Sequence, residues 1–105
     1  MEDIVIVAAA RTAVGKFGGS LAKIPATELG SIVVQNLLQR AKLPADAVGE
    51  LIMGQVLAAG VGQNPARQAG IKAGLAKETP ALTINAVCGS GLNAVTVSYT
   101  HLTLP

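Results

Sequence analysis

The stretch Ile4-Val5-Ile6-Val7-Ala8-Ala9-Ala10 is apolar at every position rather than alternating. A run of that kind suits a strand covered on both faces, as in a parallel sheet flanked by helices. It ends at Arg11-Thr12, and Gly15, Gly18 and Gly19 mark a loop. Pro25 sits where a helix tolerates proline, in the first turn, and Leu29, Ile32, Val33 and Leu37 follow at helical spacing until Leu43-Pro44 closes the segment. One helix of about four turns fits this spacing.

Val48 to Leu57, with Leu51, Ile52, Met53, Val56 and Leu57, predicts a second strand, after which Ala58-Ala59-Gly60-Val61-Gly62 must turn. Asn64 before Pro65 predicts a helix start: the Asn side chain can accept from a free backbone N–H, and proline occupies a position that lacks a partner anyway. Gly74 supplies the stop. Lys77-Glu78-Thr79-Pro80 is a turn, and Ala81 to Val87 predicts a third strand that runs into Cys88-Gly89-Ser90-Gly91. Strand, helix, strand, helix, strand and a tight turn argue for an α/β domain with right-handed crossovers, in a strand order that the pattern leaves open.

Composition narrows the class. A chain of 105 residues has room for one core. Half of its residues are apolar and only 13% are charged, which excludes a disordered chain. With one Phe, one Tyr and no Trp, the core must be built from Val, Ile, Leu and Ala. The net charge of +2 comes from Lys and Arg residues that occur singly, so no basic face is expected and nucleic acid is not an expected partner. The run from Ile4 to Ala10 is far shorter than the roughly 18 to 20 residues of a membrane helix, so no membrane partner is expected. Met1-Glu2-Asp3 is acidic, unlike the basic head of a secretory signal. A single cysteine, Cys88, allows no internal disulfide and fits a reducing compartment, so a soluble, cytoplasmic protein without a metal site is expected.

Cys88 lies where a buried strand hands over to a helix, and Gly89 and Gly91 let the backbone turn sharply and approach a ligand closely. The amino end of a helix carries partial positive charge and unpaired N–H groups, which can hold an anionic sulfur or a developing oxyanion. This is the logic of a nucleophile elbow with sulfur in place of oxygen. Without its context, a lone cysteine in an apolar α/β chain is more often a small buried hydrophobe.

The context is specific. Asn85-Ala86-Val87-Cys88-Gly89-Ser90-Gly91-Leu92 resembles the nucleophile loop of thiolases, the enzymes that make or cleave 3-oxoacyl-CoA. Val7 to Gly15 resembles that family's opening, Gly54-Gln55-Val56-Leu57-Ala58-Ala59-Gly60 its second strand, and Gly62-Gln63-Asn64-Pro65-Ala66-Arg67-Gln68-Ala69 the following helix start. Together the blocks cover residues 3 to 95 nearly without a gap.

The resemblance implies a thiolase-like α/β fold, of which residues 1–95 are an incomplete N-terminal domain. It further implies an acyltransferase that forms or cleaves 3-oxoacyl-CoA, with acetoacetyl-CoA from two acetyl-CoA as the favoured case. Cys88 would be the acyl-thioester nucleophile, and Asn85, Gly89, Ser90 and Gly91 would form its loop. Acyl-CoA and CoA would be substrates, with no fixed cofactor and no metal, and the parent would be a homodimer or homotetramer. Gln63, Asn64 and Arg67 would lie near the dimer contact, in structural or interfacial roles.

The family also needs an activating histidine, a second cysteine and an oxyanion-holding asparagine and histidine from its C-terminal half, so the 105-residue chain alone is expected to be inactive. The only histidine here, His101, is expected to be an exposed tail residue, since closeness in sequence does not place a base against a nucleophile. Gly60-Val61-Gly62 lacks both the Lys of a phosphate loop and a full G-x-G-x-x-G, so nucleotide binding is disfavoured.

Residues 96–105, Thr96-Val97-Ser98-Tyr99-Thr100-His101-Leu102-Thr103-Leu104-Pro105, depart from the family's Ala-rich helix. They are rich in β-branched and hydroxyl residues that disfavour a helix, and are expected to be foreign to the gene. There are two rival readings, the nearer one in the same superfamily and the other, a non-catalytic fragment, of a different class. A 3-oxoacyl carrier-protein synthase also uses a cysteine at a strand-to-helix turn, but Gly-Ser-Gly after Cys88 and the Gln-Asn-Pro-Ala-Arg block favour thiolase. A non-catalytic fragment would only associate, through an exposed sheet edge.

Overall fold

The structure, a computed structural model, describes residues 3–104; Met1, Glu2 and Pro105, with the readings that fall on them, lie outside the described residues. The first helix, α1, is Ala26–Ala41, entered from Pro25 and closed by Lys42 in the left-handed region at φ 56°. A single 3₁₀ turn, Ala45–Ala47, leads to strand β1, Leu51–Gly54. Helix α2 is Pro65–Ala73, strand β2 is Ala81–Ile84 and helix α3 is Ser90–Thr103. The two strands pair in parallel, Leu51 opposite Ala81 through to Gly54 opposite Ile84, with α2 as the crossover between them. This is the α/β class that the pattern predicts, with two of the three expected strands formed among the described residues and both shorter than the apolar runs around them.

Helix α2 begins and ends where the sequence places its signals. The Asn64 side chain accepts from Arg67 N–H at 3.2 Å, Pro65 opens the first turn, and Gly74 ends the helix at φ 92°. The buried residues of α2 are the small Pro65, Ala66, Ala69 and Gly70, which lets α1 come close. A Cβ built on Gly30 of α1 would stand 3.2 Å from Ala69 Cβ and 3.0 Å from Met53 Cε.

That close contact sets the inner face of α1. The helix predicted from the spacing of Leu29, Ile32, Val33 and Leu37 is present, but its buried stripe is Thr27, Gly30, Ser31 and Val34. Ile32 is exposed and the other three are half-buried. Small side chains win the inner face because it must fit against another small-residue helix, and the polar ones are satisfied there. Ser31 Oγ donates to the Glu28 carbonyl at 2.7 Å, and Thr27 Oγ1 accepts from Lys72 Nζ at 3.0 Å.

The apolar run at residues 4–10 is not a strand, contrary to the sequence reading. Val5 and Ile6 are 69% and 84% exposed. A strand exists only through a neighbour's backbone, and the one edge of β1 that is paired is taken by β2. The run lies instead along the last turns of α1, where the Arg40 guanidinium donates to the Ala9 carbonyl. Ile6, Val7 and Ala8 share an apolar groove of about 320 Å³ with Leu37, Leu38 and Leu51. The core is correspondingly thin: the buried apolar residues are Val34, Ala66, Ala69, Leu75 and Ala94. The radius of gyration, 14.0 Å, exceeds the roughly 13 Å of a compact domain of this length.

Residues 96–103 continue α3, although their types argue against a helix. The hydroxyls are accommodated by bonding back along it: Thr96 to Asn93 O at 3.0 Å, Ser98 to Ala94 O at 2.7 Å, Thr100 to Thr96 O at 3.1 Å and Thr103 to Thr100 O at 3.1 Å. Such bonds satisfy hydroxyls that would otherwise compete with the helix for its own backbone.

Candidate active site

Five residues, Asn85 to Gly89, form a tight turn between the end of β2 and the start of α3, with Val87 at its centre and Cys88 next to it. Gly89 N–H donates to the Ala86 carbonyl at 3.0 Å and Ser90 N–H to the Val87 carbonyl at 3.1 Å. Val87 adopts φ 50°. That region is unfavourable for a β-branched side chain and costs on the order of 1–3 kcal/mol, so surrounding bonds must hold it there. Those bonds come from two side chains. Ser90, only 4% exposed, accepts from Ala86 N–H at 2.9 Å and donates to the Val87 carbonyl at 2.7 Å. Asn85 accepts from Val87 N–H at 3.0 Å through Oδ1 and donates to the Val56 carbonyl at 3.2 Å through Nδ2.

The sharp backbone therefore belongs to Val87 and not to the glycines expected to supply it. Gly89 has an ordinary φ of −90°. A Cβ at Gly91 would meet nothing within 4 Å. The signal for Val87 was absent from the sequence, because valine is among the residues least suited to positive φ. The consequence is that Cys88 is exposed with a free thiol at the amino end of α3. The first bond of that helix is Asn93 N–H to Gly89 O at 2.8 Å, and the N–H groups before it have no intrahelical acceptor.

In the second cluster of sequence-predicted residues, Asn64 and Arg67 are engaged in hydrogen bonds. Asn64, at φ 43°, caps α2, donates to the Ala81 carbonyl at 3.0 Å and accepts from Thr83 Oγ1 at 2.7 Å. Thr83 Oγ1 in turn accepts from Ala66 N–H at 3.0 Å, and the Arg67 guanidinium donates to the Thr79 carbonyl at 3.2 Å. Asn64 and Arg67 thus tie α2 to β2 and the turn before it, while Gln63 stays exposed. Asn64→Ala removes three of these bonds and puts Ala in a left-handed conformation that Asn tolerates better. Its urea midpoint should fall by the equivalent of about 2 kcal/mol, and a loss below about 0.5 kcal/mol would show that the network carries no stability.

His101 Nδ1 is 2.7 Å from Glu50 Oε1, and among the described residues no side-chain hydrogen bond reaches the Cys88 sulfur.

Residues 4–103 match the family of the thiolase N-terminal domain. The chain belongs to the thiolase family. It is 70% identical over 95 residues to an acetyl-CoA acetyltransferase of Cupriavidus necator, an alignment covering 90% of this chain and 24% of that protein. An acetyl-CoA acetyltransferase of Pseudomonas aeruginosa is 64% identical over 95 residues, with the same two coverages of 90% and 24%. The crystal structure of Acat5 thiolase from Ascaris suum in complex with coenzyme A superposes with a TM-score of 0.93 at 37% identity, over 96% of this chain and 26% of that one. The thiolase fold is therefore shared through nearly the whole chain, which spans about a quarter of the length of these relatives.

Proposed function

We propose that Cys88 is the acyl-carrying nucleophile of a thiolase that forms or cleaves 3-oxoacyl-CoA, with acetoacetyl-CoA from two acetyl-CoA as the favoured case. The observation that supports this reading is the Val87–Cys88 turn, which spends backbone strain to present an exposed thiol at the amino end of α3. Strain of this sort persists where the surroundings over-determine it, and it clusters at reactive centres. In the synthetic direction the sulfur attacks the thioester carbonyl of one acetyl-CoA and CoA thiolate leaves, giving S-acetyl-Cys88. A second acetyl-CoA loses a proton from its methyl group, and that carbon attacks the S-acetyl carbonyl and releases the cysteine thiolate. Thiolysis is the reverse.

The bases for these proton movements, by the resemblance a histidine and a second cysteine, belong to the C-terminal half of thiolases. The relatives' names, and the Ascaris suum thiolase solved with coenzyme A, support CoA thioesters as the substrates. A homodimer or homotetramer with Gln63, Asn64 and Arg67 near the contact, in the cytoplasm and without a fixed cofactor, completes the proposal.

The test is a chimaera in which residues 1–95 replace the matching segment of the Cupriavidus necator relative. Incubated with acetyl-CoA and digested, it should carry the acetyl group on the peptide containing Cys88. Acetyl label on another residue would overturn the assignment. The proposal that residues 96–105 are foreign to the gene rests on their composition, including the only Tyr and His of the chain. Resequencing across the junction should show the coding sequence breaking near Val95. Uninterrupted coding through His101 into a thiolase C-terminal half would refute it.

A further inference from the structure

The turn that carries Cys88 is held from outside by the end of β1. A Cβ built on Gly54, the last residue of β1, would stand 2.5 Å from Ser90 C, 2.7 Å from Ser90 O and 2.8 Å from Gly91 N. No side chain fits there, and all three atoms are backbone, which cannot swing aside as a flexible side chain could. The first peptide of α3 therefore rests directly on the strand. Two residues further on, the Val56 carbonyl accepts from Asn85 Nδ2 at 3.2 Å, while the same amide's Oδ1 holds Val87 N–H at 3.0 Å. Segment 54–56 thus grips the turn on both sides of Cys88: through the Ser90–Gly91 peptide after it and through Asn85 before it.

We propose that Gly54 and Asn85 are positioning residues for Cys88, seating the Val87–Cys88 turn on the end of β1 so that the sulfur and the amino end of α3 keep one fixed relation. The proposal rests on the acyl-carrying role given to Cys88 above. Neither residue touches the reacting atoms. Gly54 acts by letting α3 come down onto the strand, and Asn85 by tying the strained valine to the chain beyond it. A methyl group at position 54 must lift the start of α3 or push the strand away, and either movement displaces the sulfur from the N–H groups that would receive negative charge. Displacements of about 1 Å at a reacting centre cost about 100-fold in rate.

The experiment uses the chimaera described above and measures kcat and KM for thiolysis of acetoacetyl-CoA. Gly54→Ala should lower kcat about 100-fold with KM held within about threefold, the split expected when an interaction of the transition state alone is lost. Asn85→Asp keeps the acceptor for Val87 N–H, loses the donor to Val56 and is exposed, so it does not crowd the core; it should lower kcat about tenfold with the same split. Gly49→Ala, at a position where a Cβ meets nothing within 4 Å, is the control and should match the parent. If Gly54→Ala does not fold, as judged by its circular dichroism, Asn85→Asp decides the matter. Parental kcat in the folded variants, or a rise in KM at unchanged kcat, overturns the proposal. Cys88→Ser separates it from the reading beneath it: turnover surviving that change defeats the nucleophile assignment, whereas loss there with parental kcat in Gly54→Ala and Asn85→Asp defeats the positioning role alone.

Discussion

Cys88→Ser in the chimaera is expected to reduce acetoacetyl-CoA thiolysis at least about a thousandfold, with the acetyl label on this segment lost as well. Serine fills nearly the same space, so the turn should survive: Ser90 and Asn85 make the bonds that hold Val87, and neither involves the sulfur. What changes is the nucleophile. A hydroxyl ionises far less readily than a thiol, so a base that suffices to activate the cysteine leaves the serine almost wholly protonated. The position next to the amino end of α3 cannot compensate, because a helix end contributes at most about 2 kcal/mol to an adjacent charge. Parental turnover in a folded Cys88→Ser chimaera would refute the nucleophile assignment.

The 105-residue chain alone should show no CoA-dependent cleavage of acetoacetyl-CoA above the buffer rate. An exposed thiol can be alkylated or acylated chemically, but turnover also needs a group to take the proton from the incoming CoA thiol and another to protonate the departing carbon. The chain holds one cysteine and one histidine, and that histidine is paired with Glu50 rather than with Cys88. Its apolar surface also lacks a cover, since Leu92, Val95 and Leu102 of α3 are all exposed. Measurable cleavage by the purified chain, abolished by Cys88→Ser, would show that the segment supplies its own acid and base.

Features that depend on a few neighbouring residues were legible in advance. The start of α2 at Asn64-Pro65 and its stop at Gly74 come from cap chemistry confined to one turn of chain. The four-turn α1 and the hand-over from a strand to a helix at Cys88 were equally local. Local signals were not enough where a second segment decides. The apolar run at 4–10 is intrinsically a good strand, yet its conformation depends on a neighbouring backbone that is not paired with it. The inner face of α1 went to Thr27, Gly30, Ser31 and Val34 because α2 presents small residues there, which the periodicity of α1 cannot reveal. Residues 96–103 are helical against their single-residue propensities, and their hydroxyls are accommodated by turning back onto carbonyls of the preceding turn.

The reactive centre divides in the same way. Sequence by itself determined the identity of the thiol, its place at a strand-to-helix junction and, through the blocks around it, the family whose chemistry it would perform. These are properties of residue type and order, set by side-chain reactivity and by short-range backbone preference. Only the tertiary structure decided that Val87 takes the left-handed conformation, that Ser90 and Asn85 hold it there, and that Gly54 lets the first peptide of α3 rest on β1. The Gly54 contact, like the bond of Asn85 to Val56, joins atoms from different elements, while Asn85 and Ser90 hold Val87 from within three residues of it; valine would avoid such a backbone on its own. The physical reason is that a strained turn does not follow from the preference of the residue that takes it: it exists because the bonds of Asn85 and Ser90 around it, and the seat that segment 54–56 gives to both, outweigh its cost.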